Sequence, residues 1–130
     1  MPRYFLTRLV VEGFRGINNE NDPLDIHFRP EKVNSVFAVN GLGKSSIFEA
    51  LCYAIHGVIP KLELLQAKER PQEYYCNRFH SQNSAIIHLE FQPDDGSSIV
   101  SVRINRDAKG NRTVSSPSGH PDPEGFLASL

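Results

Sequence analysis

The sequence has 130 residues, a length that fits one domain whose core buries roughly 65–70% of the unfolded surface. Its net charge of −1 excludes a strongly basic nucleic-acid-binding protein, and its two cysteines exclude a disulfide framework, which favours a reducing compartment. No apolar run approaches the roughly 18 residues of a membrane-spanning helix. We therefore expect a cytoplasmic protein, or one of the nucleoid or nucleus, with no membrane partner.

Two strands are predicted near the start of the chain. Residues 4–12 are rich in β-branched and aromatic side chains and stop at Gly13, which is typical of a strand that ends in a turn. Residues 24–28 alternate apolar and polar side chains, which indicates a half-buried strand. The residues between these strands are predicted to form a turn and then a polar loop.

A third strand, a glycine-containing loop and a helix are predicted to follow one another directly. Residues 33–39 indicate a buried strand, and the two glycines within residues 40–43 require a loop. Residues 44–56 have helical spacing, and Gly57 is a natural C-terminal stop. The predicted apolar face of this helix consists of Ile47, Leu51, Ala54 and Ile55.

The second half of the chain indicates an antiparallel meander. Strands are predicted at residues 84–91 and 99–105, and a third strand is expected to begin at Thr113. We divide the single domain 1–130 into four parts. These are the strands, loop and helix of 1–57, a connecting region at 58–83, antiparallel hairpins at 84–115, and a linker at 116–130 within which a helix begins near Phe126.

The loop before the helix has the composition of a phosphate-binding loop. Glycines lack Cβ and tolerate positive φ, so Gly41 and Gly43 allow backbone N–H groups to approach an anion closely. Lys44 is expected to reach the β- and γ-phosphates of a nucleoside triphosphate, and the Ser45 hydroxyl to coordinate Mg²⁺. The usual pattern is G-x-x-x-x-G-K-[ST], and here Ala38 stands at the position of the first glycine. We expect this substitution to alter the geometry of the loop without abolishing phosphate binding.

These residues resemble a known family. The first 57 residues are similar to the N-terminal lobe of the ABC-type ATPases of chromosome maintenance and repair, which include the SMC, RecF and SbcC-like proteins and the double-strand-break repair ATPase. The resemblance rests on Gly13-Phe14-Arg15-Gly16-Ile17, on Leu24-Asp25-Ile26-His27-Phe28, and on Asn40-Gly41-Leu42-Gly43-Lys44-Ser45-Ser46-Ile47-Phe48-Glu49-Ala50-Leu51. It implies an α/β fold, a P-loop NTPase head lobe of ABC type, with a mixed sheet around the Walker A helix and an antiparallel β edge.

The resemblance also implies further binding residues. Arg15 would lie near the bound nucleotide and contact phosphate, and Asn40 would point towards the phosphates; a fixed charge and an amide donor suit these roles. Glu49 is assigned a structural role instead. The expected ATP and Mg²⁺ site consists of Arg15, Asn40, Gly41, Leu42, Gly43, Lys44, Ser45 and Ser46, of which Lys44 and Ser45 are the catalytic candidates and Ser45 the metal ligand.

A complete ATPase head of this family has parts that the sequence does not provide. We find no acidic Walker B pair after a buried strand, no signature motif and no convincing glutamine loop, since Gln92 is followed by Pro93 and a turn. We therefore expect hydrolysis only when a C-terminal lobe and a second head, identical or different, complete the site. DNA and a nuclease subunit are the other expected partners.

The sequence leaves several functions open. The leading interpretation is an ATP-driven clamp or motor head that acts on DNA in repair, chromosome maintenance or defence against phage. The alternatives are a stand-alone P-loop NTPase, such as a small kinase or GTPase, and a non-catalytic nucleotide-sensing subunit. A candidate for contact with DNA is the basic cluster Arg103, Arg106, Lys109 and Arg112. The alternative is that these residues form an ordinary solvated strand face.

Overall fold

The computed structural model describes residues 3–15, 23–29, 44–57, 84–107 and 110–130. They form a five-stranded sheet with the order β2-β1-β3-β4-β5 and two helices. The strands are β1 (Tyr4–Glu12), β2 (Leu24–His27), β3 (Ala85–Pro93), β4 (Val100–Arg106) and β5 (Arg112–Ser115). The helices are α1 (Lys44–His56) and α2 (Pro123–Ala128).

All the strand pairings among the described residues are antiparallel. The five strands therefore correspond to the antiparallel part of the predicted mixed sheet, and the predicted strand at residues 33–39 lies outside the described residues. The predicted strands at the start of the chain and in the meander are confirmed within a few residues at each end. The connecting region at 58–83 also lies outside the described residues.

A bulge in β1 allows its apolar residues to face the core. The register of β1 against β3 shifts between Leu6 and Arg8, so that Thr7 is the extra residue. Strict alternation would place Leu6 and Leu9 on opposite faces of the sheet. The bulge instead allows Leu6 to pack against the core in which Leu9 is fully buried, and Arg8 faces the other side of the sheet with Glu90, its partner on β3.

The buried residues of the sheet form one layer against the helices. Strands β3 and β4 alternate as predicted, and their inward side chains are almost completely buried. The core of the described residues consists of Leu9, Val11, Phe14, Ala50, Tyr53, Ala54, Ala85, Ile87, Leu89, Phe91, Val102, Ile104, Phe126 and Leu127. This layer fixes α1 on the sheet and thereby fixes the place of the expected phosphate loop.

The buried face of α1 differs from the predicted one. The most deeply buried residues are Ala50, Tyr53 and Ala54, whereas Ile55 is only half-buried. Ala50 and Ala54 are completely buried, and the ring of Tyr53 packs against Phe14 at a centroid distance of 5.7 Å. Helical spacing correctly predicted the length of the helix but placed the centre of its buried face wrongly.

Helix α2 occupies a segment that we expected to be mainly a linker. It begins at Pro123, three residues before the expected start, and Phe126 and Leu127 enter the core. The Asp122 side chain caps the helix by accepting a hydrogen bond from the Gly125 N–H, 3.1 Å away. A Cβ on residue 125 would overlap the Asp122 carboxylate, so this close approach requires glycine.

Among the described residues, no helix is long and apolar enough to cross a membrane.

Candidate functional site

Helix α1 begins at Lys44, the residue at which the predicted phosphate loop ends. Its first turn contains the backbone of Lys44, Ser45 and Ser46 and has no acidic residue. The N–H groups of a first turn have no partner within the helix, and the helix dipole adds a partial positive charge there. An Asp or Glu in this turn would partly cancel that charge, so the sequence of α1 favours an anion at its N-terminus.

The remaining residues of the predicted loop, Asn40, Gly41, Leu42 and Gly43, lie outside the described residues, as does Ala38. Their assignment to the nucleotide remains a prediction from the sequence. The helix start at Lys44 agrees with the expected change from loop to helix at this position.

Arg15 follows β1 in the turn that the resemblance assigned to the nucleotide. Its φ of 53° lies in the left-handed region, which residues with a side chain seldom adopt. Its guanidinium contacts the Glu49 carboxylate through two atoms, with Nε 3.4 Å from Oε1 and Nη2 3.3 Å from Oε2. Both side chains are largely buried, with 18% exposed for Arg15 and 15% for Glu49. The contact joins the turn after β1 to the helix that begins at Lys44.

The ion pair lies close to the start of α1. Glu49 is five residues beyond Lys44, which corresponds to about 7.5 Å along the helix axis. Helical side chains lean towards the N-terminus, so the carboxylate lies nearer to the helix start than its own Cα does. The Arg15 guanidinium therefore lies beside α1, about one and a half turns from the residue at which the helix begins.

The other end of α1 is fixed by a second arginine. The Arg112 guanidinium donates hydrogen bonds to the carbonyl oxygens of Tyr53 at 3.0 Å and Ala54 at 2.9 Å. It also lies over the Tyr53 ring, 5.0 Å from the centroid. Carbonyls in the last turn of a helix have no acceptor role within it, so a cation there satisfies them and complements the dipole.

This second contact alters the interpretation of the basic cluster. Arg112 is engaged with α1, and Arg106 is buried and donates to the Gly110 carbonyl at 3.1 Å. Arg103 is exposed on β4, and Lys109 lies outside the described residues. Because two of its four members hold the fold together, the cluster as predicted is not a continuous DNA-binding patch.

Sequence reasoning did not find the role of Arg112 and assigned Glu49 only to structure. Nothing local identifies Arg112, because its partner carbonyls lie 58 and 59 residues earlier in the chain. Glu49 carried a usable signal, since a carboxylate one turn after the phosphate loop needs a cationic partner when it is buried. Gln92, the weak glutamine-loop candidate, lies within β3 and pairs with Phe5 of β1.

The fold and this site define a class of protein, the P-loop ATPase head lobe of ABC type. A sequence profile of the AAA domain family (AAA_23) matches residues 8–120. The chain therefore belongs to this family of ATPase domains. No significant match to a curated protein was found.

Solved structures with the same fold are SMC and RecF heads. One comes from a study of ATP-driven dimerization and DNA-stimulated activation of SMC ATPases, with a TM-score of 0.72, 17% identity, and coverage of 97% of this chain and 76% of that chain. The second is the recombination mediator protein RecF-ATPrS of the RecFOR pathway, with a TM-score of 0.67, 16% identity and coverage of 95% and 29%. The third is the SMC head domain from Thermotoga maritima, with a TM-score of 0.62, 21% identity and coverage of 95% and 41%.

These similarities confirm the predicted fold and family. The chain belongs to the AAA domain family and has the fold of the SMC and RecF heads. It spans 76% of the first similar chain and well under half of the other two.

Proposed function

We propose that this chain binds Mg-ATP at the N-terminus of α1. The observation that carries the proposal is the helix start at Lys44, directly after the glycine-containing sequence of residues 40–43, combined with the contact of Arg15 with Glu49 on the same helix. The main-chain N–H groups of residues 41–45 cradle the β-phosphate, Lys44 contacts the β- and γ-phosphates, and the Ser45 hydroxyl coordinates Mg²⁺. Asn40 supplies an amide donor, and Leu42 and Ser46 line the site.

Arg15 adds a second fixed positive charge to this site. Arginine stays protonated at any physiological pH and donates N–H groups in a planar fork that fits phosphate oxygens. Because the Arg15 side chain is mostly buried, solvent screens its charge less than that of an exposed arginine. With Lys44 it neutralises part of the negative charge of a nucleoside triphosphate.

Hydrolysis requires parts that we assign to a C-terminal lobe and a second ATPase head. A second apolar stripe on α1 supports the first of these partners. It consists of Phe48, Leu51, Cys52 and Ile55, whose spacing places them on one helix face. Phe48 is 69% exposed and the other three are half-buried. A helix that is apolar on two faces is characteristic of burial between two layers, and a second lobe supplies the missing layer.

We further propose that the completed head uses ATP to clamp or process DNA. The support is the fold shared with the SMC ATPases and with RecF, for which ATP-driven dimerization, DNA-stimulated activation and a recombination pathway are described. We propose that this clamp acts in DNA repair, chromosome maintenance or defence against phage. A nuclease subunit is the further partner that we propose. Contact with DNA falls to residues other than Arg106 and Arg112.

The experiment that tests nucleotide binding is a titration of the purified protein with fluorescent ATP in the presence of Mg²⁺. Replacing Lys44 by Ala removes the ammonium that contacts the phosphates, and we expect the affinity to fall by at least roughly tenfold. His56→Gln, an exposed position at the opposite end of α1, is the matched control and should keep the wild-type affinity. Unchanged affinity of Lys44→Ala, or no binding by the wild type at millimolar nucleotide, would refute the proposal.

A phosphate-release assay addresses hydrolysis separately. We expect little or no turnover by residues 1–130 alone, because the water-positioning acid and the capping motif come from the partners. Vigorous turnover by the purified 130-residue chain would instead favour a stand-alone NTPase. Nucleotide binding without turnover, even after a second lobe and head are added, would favour a nucleotide-sensing subunit.

A further inference from the structure

The backbone at Arg15 is held in an unusual conformation. Among the described residues, Arg15 is the only non-glycine residue with positive φ. Such a conformation is unfavourable for a residue with a Cβ and persists where the surroundings enforce it, often at functional sites. Here the neighbouring Phe14 is completely buried against Tyr53, and this fixes the direction in which the next side chain leaves the turn.

The contact between Arg15 and Glu49 orients the guanidinium with modest strength. Charge-assisted N–H···O bonds usually measure about 2.7–2.9 Å, and both contacts here are longer, at 3.3 and 3.4 Å. Two parallel contacts nevertheless fix the plane of the guanidinium better than one contact does. The carboxylate therefore keeps the cation in place and leaves it able to shift towards a stronger anion.

We propose that Glu49 is a positioning residue for nucleotide binding and acts through Arg15, an inference that rests on the proposed function of the site. Glu49 belongs to the same rigid helix whose first turn receives the phosphates. The ion pair therefore ties the Arg15 guanidinium to this helix. Without the carboxylate, Arg15 loses this contact, and we expect its orientation to become less favourable for binding the triphosphate.

A double-mutant cycle tests this inference on the full-length protein. Fluorescent Mg-ATP is titrated into the wild type, Glu49→Gln, Arg15→Ala and the double variant. We expect Glu49→Gln to weaken binding by about three- to tenfold, Arg15→Ala to weaken it at least as much, and the double variant to bind like Arg15→Ala. Independent, multiplicative effects of the two substitutions, or unchanged or tighter binding by Glu49→Gln, would overturn the inference.

Two further measurements distinguish positioning from a purely structural effect. Arg15→Ala removes a cation and should weaken the dependence of affinity on salt, whereas Glu49→Gln removes an anion and should not, so a loss of affinity in Glu49→Gln reports a misplaced Arg15 and not a weaker attraction of the triphosphate. Glu49→Asp, which keeps the charge, should recover part of the lost affinity. If Glu49→Gln fails to fold, Glu49→Asp is introduced into the wild type and into Arg15→Ala to complete the same cycle. An equal change in Mg-ATP affinity in these two proteins would overturn the inference.

Lys44→Ala separates this inference from the proposed function. If Lys44→Ala abolishes Mg-ATP binding while Glu49→Gln leaves it unchanged, the site is correctly placed and only the role of Glu49 is wrong. If Lys44→Ala has no effect, the proposed function itself fails.

Discussion

The guanidinium of Arg112 caps the C-terminal turn of α1 by donating a hydrogen bond to the carbonyl oxygen of Tyr53. A second bond reaches the carbonyl of Ala54. Because Arg112 belongs to β5, at the edge of the sheet, this contact couples the last hairpin to the helix that follows the phosphate loop. Arg15, through Glu49 in the middle of the helix, provides a second side-chain contact to α1.

Replacing Arg112 by Met should destabilise the fold. Met keeps much of the apolar stem but removes both hydrogen bonds, so the carbonyl of Ala54 loses its bond to Arg112 and that of Tyr53 keeps only the bond from the Gly57 N–H. We expect the free energy of unfolding to fall by about 1–3 kcal/mol, as measured by urea denaturation. Arg103→Met, at an exposed position on β4, is the control and should change it by less than about 0.5 kcal/mol. Equal effects of the two substitutions would contradict the capping role.

The same cap makes Gly57 a sensitive position. Gly57 ends α1 with φ of 80°, and a Cβ there would lie 2.7 Å from Nη1 of Arg112. Gly96 has the same φ, but a Cβ there would meet nothing within 4 Å. Both Gly→Ala substitutions should cost about 1–2 kcal/mol for the left-handed backbone.

Gly57→Ala should cost about 1 kcal/mol more than Gly96→Ala, because it also displaces the Arg112 hydrogen bonds. Thermal or urea unfolding of the two variants measures this difference. The prediction is wrong if Gly96→Ala is at least as destabilising as Gly57→Ala.

The sequence predicted those elements whose signal is local. The glycine loop, helical spacing and Gly57 predicted the bounds of α1, and alternation predicted the inward faces of β3 and β4. Phosphate-loop residues could be assigned because the chemistry of close anion approach restricts the residue types at each position. The ABC-type fold was implied by the resemblance of these motifs to those of a known family.

Other features depend on tertiary contacts that no local pattern contains. The bulge at Thr7 is stabilised by its hydroxyl, which donates to the Glu90 carbonyl 83 residues away at 3.1 Å. The buried face of α1 is centred on Ala50, Tyr53 and Ala54, which lie in the shared core, and not on the larger aliphatic residues of the helix. Helix α2 was predicted to begin near Phe126 and begins three residues earlier, because Phe126 and Leu127 enter the core and Asp122 caps the helix, which the Pro- and Gly-rich sequence does not reveal.

Phe48 provides a test of the second lobe. Its side chain is 69% exposed, so Phe48→Ser should leave the free energy of unfolding of residues 1–130 within about 0.5 kcal/mol of the wild type. In a protein that includes the second lobe, the same substitution should be destabilising by about 2–4 kcal/mol, because the ring is then buried. Tyr53→Ser, on the opposite face, should destabilise both forms. Equal, small effects of Phe48→Ser in both forms would count against this surface as the contact between lobes.

A cross-strand charge cluster on the face of the sheet opposite to the core predicts a dependence of stability on pH. Arg8 contacts the Asp25 carboxylate through two bonds of 2.8 and 3.0 Å and Glu90 through a bond of 3.0 Å. The Arg8 hydrogen bond lowers the pKa of Asp25 below its ordinary value of 3.8. The hydrogen bond from His88, followed by that from Arg8, lowers the pKa of Glu90 below 4.5.

Both carboxyl groups bind protons more weakly in the folded state than in the unfolded state. Their contribution to stability is therefore complete above pH about 4.5 and is lost as the pH falls through the lowered pKa values. Because Asp25 is 37% exposed and Glu90 24% exposed, solvent limits the whole effect to about 1 kcal/mol. Urea unfolding between pH 7 and pH 2 measures it in the wild type and in Arg8→Met. Arg8→Met should be less stable than the wild type at pH 7, and its free energy of unfolding should converge on that of the wild type at the acid end. A difference in free energy of unfolding that is the same at every pH would show that the lost stability does not arise from these two ion pairs.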